Sequence, residues 1–185
     1  MLTINQNDIG LDSHLNHLAK ELHDGLNAKW ELPTTPKDKT LKGFGRLYVI
    51  NREGKKTIER FKQKSDYQNE NVADKSKFFF IHRKPEVPVD GLNFRTKVEL
   101  FFILDLNIVK PGNTSRNDIQ AKADILEIIQ SMPKFWIDPA VGIETDPDQV
   151  MGEFVFEQQK TMQPIFVFKI TLGIEYAMDD ECKCC

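Results

Sequence analysis

Cysteine is missing from the body of this 185-residue chain. The three present, Cys182, Cys184 and Cys185, share the last four positions. No disulfide is therefore expected to staple the fold. The terminal CKCC offers three thiols where a closed zinc site takes four ligands, so it reads as a chain end rather than a soft-metal or redox site. Long apolar runs are also missing. The longest, Leu100 to Leu104, covers five residues, against the roughly 20 needed to span a bilayer as a helix. The opening MLTINQNDIG has neither a basic region nor a long apolar stretch. It does not read as a secretory signal, and the expectation is a protein made and kept in a cytoplasm. No glycine-rich phosphate loop and no nucleophile elbow occurs. Histidine is scarce. His14 and His17 are three apart on a predicted helix, but no third ligand stands at matching spacing, and His23 and His82 lie elsewhere. The sequence thus gives no catalytic residue, no cofactor-binding residue and no metal ligand set, and no cofactor is expected.

What is present is the composition of an ordinary globular domain: 40% hydrophobic and 29% charged residues, with an excess of 13 Phe. Residues 1–185 read as a single α+β domain. Leu11, Leu15, Leu18, Leu22 and Leu26 recur at steps of four and three, which puts them on one face of an amphipathic helix. Asp12 or Ser13 is the expected cap, and Gly25 followed by Pro33 the expected end. A connector at 33–40 precedes a predicted β-meander, with strands over 45–50 and 55–61. Residues 62–77 are polar and read as a long loop, and 78–82 as a further strand. In 95–108 every even position is Thr, Val, Leu, Phe or Ile, the strongest strand signal in the chain. A helix follows, capped by Thr114 or Ser115. Its expected inner stripe is Ile119, Ala123, Leu126 and Ile129, with Ile125 and Met132 widening it and Pro133 ending it. Trp136 and Ile137 are expected to pack on the core. Residues 165–176 alternate again, and a flexible tail is expected at 178–185. The predicted order is α-β-β-β-β-α-β: a mostly antiparallel twisted sheet with helices packed on it.

Charge is unevenly spread. From Thr34 to Lys84 there are 14 Lys or Arg against 6 Asp or Glu; from Phe135 to Cys185 there are 3 against 10. Such asymmetry can steer association with another molecule or with a second copy of the chain. Lys55, Lys56, Lys62 and Lys64 are the candidate contact residues of the basic segment. A second candidate surface comes from the alternating strands, where Phe101, Ile103, Ile165 and Val167 fall on the face opposite the first core. Either helices cover both faces of the sheet, or these residues form an apolar patch at a subunit contact. The basic 52–64 segment with Phe61 also fits a nucleic-acid-binding module. Asp138, Glu144, Asp146 and Asp148 are the densest carboxylates. They leave an unrecognised acid–base site open, although the spacing is not that of a calcium loop.

The order and pattern of RTKVELFFILDLNIV (95–109), SRNDIQAKADILEIIQSM (115–132) and PIFVFKITLGIEYA (164–177) resemble the tail-terminator, or tail-completion, proteins of long-tailed bacteriophages and their relatives in phage necks. The likeness covers most of the chain and rests on no signature motif. It implies a structural virion protein, not an enzyme: a subunit of a homo-oligomeric ring that ends the tail or joins it to the head. Its implied partners are the tail tube or sheath and head-connector proteins, with nucleic acid at most as DNA passing through a channel, and no membrane. It implies assembly in the cytoplasm of a bacterial host and residence in the virion. The loop and the connector would reach a neighbouring subunit or line that channel.

Overall fold

The computed structural model describes residues 1–4, 9–32, 41–52, 55–62, 66–69, 76–109, 116–138, 142–152 and 164–177. The connector at 33–40, Lys64, Thr114, Ser115 and the tail at 178–185 lie outside them. In chain order the elements are β1 (Leu2–Thr3), α1 (Leu11–Lys29), β2 (Lys42–Arg52), β3 (Lys55–Lys62), β4 (Asp66–Asn69), β5 (Lys77–His82), β6 (Val87–Asp90) and β7 (Asn93–Asp105). Then come α2 (Leu106–Val109), α3 (Asn117–Gln130), β8 (Phe135–Ile137), β9 (Ile143–Glu144), α4 (Pro147–Met151) and β10 (Ile165–Ala177). None of the described helices is long and apolar enough to cross a membrane.

The two strictly alternating segments pair with each other. β7 and β10 run antiparallel in unbroken register, with Phe168 opposite Phe102, Ile170 opposite Leu100 and Leu172 opposite Val98. Even-numbered residues of both strands therefore share one face, as the period of two requires. The sheet order is β4-β3-β2-β5-β7-β10-β8, with β1, β6 and β9 as short additions. All pairings are antiparallel except β1 with β2 and β2 with β5. The fold is α+β with a mostly antiparallel sheet.

Helices α1 and α3 lie on the same face. The leucine stripe of α1 and Ala121, Ile125 and Ile129 of α3 cover Phe78, Phe80, Phe102, Phe168 and Ile170 in one continuous core. Phe102 stacks on Phe168 at 4.8 Å between ring centroids, a favoured offset arrangement for aromatic pairs. Gly25 does not end α1. It sits inside the helix where Ile128 of α3 approaches, and a Cβ there would come within 2.9 Å of Ile128 Cδ1. The small residue lets the two helices close.

Three other local expectations are corrected. α1 starts after Gly10, at φ 57°, with no side-chain cap; Asp12 instead faces Arg46, its Oδ1 accepting from Nη1 at 3.2 Å. The inner stripe of α3 is rotated from the predicted one: Ile119 and Ala123 are exposed, whereas Ala121 and Asp124 are buried. Asp124 belongs inside because it accepts from Trp30 Nε1 at 2.8 Å and from Gln120 Nε2 at 3.1 Å. A buried carboxylate is tolerated when its oxygens are hydrogen-bonded, and this one ties α1 to α3. Finally, 62–77 is not one loop. Lys62 closes β3, residues 66–69 form β4, and Lys77 opens β5 fully buried.

Candidate functional site

The opposite face of the sheet decides the fate of the predicted apolar patch. Phe101 is 1% exposed, Ile103 and Val167 are buried, and Ile165 is half-buried. They join Phe79, Ile81, Phe44, Leu47, Ile58 and Val150 in a second core. Among the described residues no helix of the length of α1 or α3 lies on this face; β2 and β3 contribute from the same sheet, and Val150 from α4. Phe101 stacks on Phe79 at 5.2 Å and an interplanar angle of 6°. As an exposed subunit contact, Phe101, Ile103 and Val167 are therefore excluded; their own chain covers them.

The rest of that face is an array of ions. Glu99 meets Arg83 at 2.8 Å and Lys169 at 3.1 Å, Lys97 meets Asp138 at 2.6 Å, and Arg95 meets Glu175 at 2.8 Å. Trp136 lies among them, 38% exposed, with the Arg95 guanidinium 5.7 Å from its ring centroid. Trp136 was expected in the core; Phe135 takes that place. The indole rests on Gly173, where any Cβ would overlap the ring. Replacing Gly173 with Ala is expected to lift Trp136 into water. Its fluorescence maximum should move to longer wavelength, with a stability loss of about 1–3 kcal/mol in urea.

The basic residues fall elsewhere. Lys55, Lys56 and Lys62 lie on β3, where Lys56 is exposed and pairs in register with Asn51 of β2. Strands β2, β3 and β4 together hold seven Lys or Arg against Glu59 and Asp66, and they form one margin of the sheet. Residues 135–152, which contain β8, β9 and α4, hold Asp138, Glu144, Asp146 and Asp148 and no Lys or Arg. β8 is the opposite margin of the sheet. The basic strands thus stand at one end of the sheet order, and the acidic residues follow β8 at the other end, on β9 and at the start of α4, with Asp138 buried against Lys97. Linear charge counts gave the two segments but not their placement at opposite ends of one sheet.

The acidic residues of this end have local roles. Asp146 caps α4, its side chain accepting from the Asp148 amide at 3.0 Å, and Glu144 Oε1 accepts from the Asp146 amide at 2.8 Å. Glu144, Asp146 and Asp148 remain open to water or partly so. Among the described residues no group of three or more His, Cys, Asp or Glu side chains is arranged to hold a metal ion.

A second polar assembly escaped the sequence reading. Asp12 and His14 of α1, Arg46 and Tyr48 of β2, His82 at the end of β5, Glu86 and Tyr176 of β10 converge where the helix-side face runs out beyond the start of α1. The Tyr48 hydroxyl lies 3.5 Å from Asp12, and the His14 and Tyr176 rings are 6.0 Å apart. Burial, with the Glu86 carboxylate facing the phenol, pushes the Tyr176 pKa well up. No local motif announces this cluster, because its members come from across the whole chain. Comparison with protein-family models, with curated proteins and with solved structures gives no match.

Proposed function

We propose that this chain is a structural subunit that assembles head to tail into a closed ring. Its role in that reading is assembly, not catalysis. The observation that carries the proposal is the placement of opposite charges towards opposite ends of one sheet. A surface that complements a different surface of the same molecule makes a heterologous contact. Repeated, such contacts give a ring when the rotation closes. The likeness of 95–109, 115–132 and 164–177 to phage tail-completion proteins supplies the setting. The ring would end the tail or join it to the head in the neck, against the tail tube or sheath and head-connector proteins, in the virion.

Size-exclusion chromatography with light scattering tests this directly. At low salt, about 50 mM, the expected mass is that of about six or more chains of 21.4 kDa. Raising the salt to about 500 mM is expected to shift the population towards monomer, because screening shortens the reach of exposed charges to a few ångströms. A monomer at every salt concentration overturns the ring. If that monomer retards duplex DNA in a gel, the basic margin belongs to a nucleic-acid interface instead.

A further inference from the structure

We propose that His82 and its neighbours form an acid-sensitive latch that holds the 83–86 link and β6 against β7 at neutral pH and releases them in mild acid. β5 ends at His82. Residues 83–86 then turn the chain into β6, which pairs with the first residues of β7. His82 Nε2 lies 2.8 Å from Thr96 Oγ1 on β7. The same hydroxyl reaches the carbonyl oxygens of Lys84 and Pro85 at 3.4 Å. One buried threonine therefore joins the end of β5, the 83–86 link and β7. Farther along the link, the Glu86 carboxylate acts electrostatically on the Tyr176 phenol of β10, whose hydroxyl makes no hydrogen bond among the described residues. The β7 arm is fixed by its register with β10, but the β6 arm is open: all four of its residues are exposed, Val87 57% so, and its strand pairing is to the first residues of β7. An element with so few buried contacts depends on its anchors and opens at low free-energy cost.

The surroundings of His82 make this anchor proton-dependent. Arg46 of β2 opposes a charge on the ring; Asp12 of α1 and Glu86 of the link favour it, as does the Lys84 carbonyl. Asp12 is already engaged with Arg46 at 3.2 Å. Tyr176 of β10 and Thr96 of β7 bring hydroxyls and no charge. Burial is the largest effect and, with Arg46, holds the imidazole pKa below its ordinary 6.5. The sign follows from linkage. The opened or unfolded form takes up a proton near pH 6.5, while the closed form resists it. Closure is therefore complete above that pH and weakens as the pH falls through it.

Two measurements on the full chain decide the matter. Imidazole NMR should show His82 titrating below 6.5, whereas titration at or above 6.5 overturns the latch. Hydrogen exchange, corrected for intrinsic rates, should show amides of 83–90 losing about tenfold protection between about pH 7.5 and 5.5 while 100–103 stay protected. In His82→Gln, which keeps a hydrogen-bonding group but does not titrate, protection of 83–90 should be independent of pH. Unchanged protection of 83–90 in the wild type, or the same pH profile in His82→Gln, overturns the latch. If the variant does not fold, the two wild-type measurements stand alone.

Discussion

Replacing Lys55, Lys56, Lys62 and Lys64 together by Glu is expected to weaken assembly by about a thousandfold while leaving the chain folded. Lys55, Lys56 and Lys62 lie on β3, at the basic margin, and Lys64 follows two residues later in the sequence. A single exposed ion pair contributes about 0.2–1 kcal/mol. Reversal removes each attraction and adds a repulsion of similar size. Four such sites then cost about 4 kcal/mol, on the order of a thousandfold in the association constant. Light scattering reads the loss, and circular dichroism checks the fold. The opposing change, with Glu144, Asp146 and Asp148 replaced by Lys, should fail alone for the same reason and should restore assembly when mixed with the first variant. If the first variant assembles like the parent at low salt, the charged margins are not the contact.

The second large effect concerns the interior. Phe101→Glu should not behave as an interface mutation: it is expected to unfold the protein or leave it barely stable. Removing a buried Phe costs about 3–5 kcal/mol. Placing a carboxyl group among Phe79, Ile103 and Val167 adds a desolvation penalty of roughly 2 kcal/mol or more, even for the neutral form. The total rivals the 5–15 kcal/mol that a typical domain possesses. Loss of cooperative urea unfolding, or a midpoint far below that of the parent, is the expected reading. A stable, monomeric Phe101→Glu protein would mean that this face is open and that the second core described above is not formed.

These two predictions also mark where the sequence was informative. The alternation in 95–108 and 165–176 is a local property, and it located both central strands and the residues that face α1. The same alternation marks the odd positions as a second face without saying what covers them. Ile58 and Val150, which share the second core with Phe101 and Ile103, lie far away in the chain. The α1 stripe was legible because all five leucines obey one period. The α3 stripe was not, because Asp124 is polar yet buried against Trp30, and a pattern of apolar residues sends an aspartate outward. Residues 106–108 continue the alternation but turn into α2, so the pattern outran the strand. Trp136 was misplaced for a related reason: its burial is decided by the missing side chain of Gly173, on another strand. The opposed charges were countable from the start, but only the sheet order gives them direction.

β10 is the last of the described strands, yet it is not at the margin of the sheet. It lies between β7 and β8, in register with β7 from Ile165 against Asp105 to Ala177 against Asn93. On the ribosome, β7 must therefore wait for a partner that is synthesised after α3, β8, β9 and α4. Until β10 emerges, one long side of β7 has unpaired amides and carbonyls, and Leu100, Phe102 and Leu104 lack the strand that completes their core. Closing so wide a loop is entropically slow, and the nascent sheet is exposed to aggregation throughout that interval.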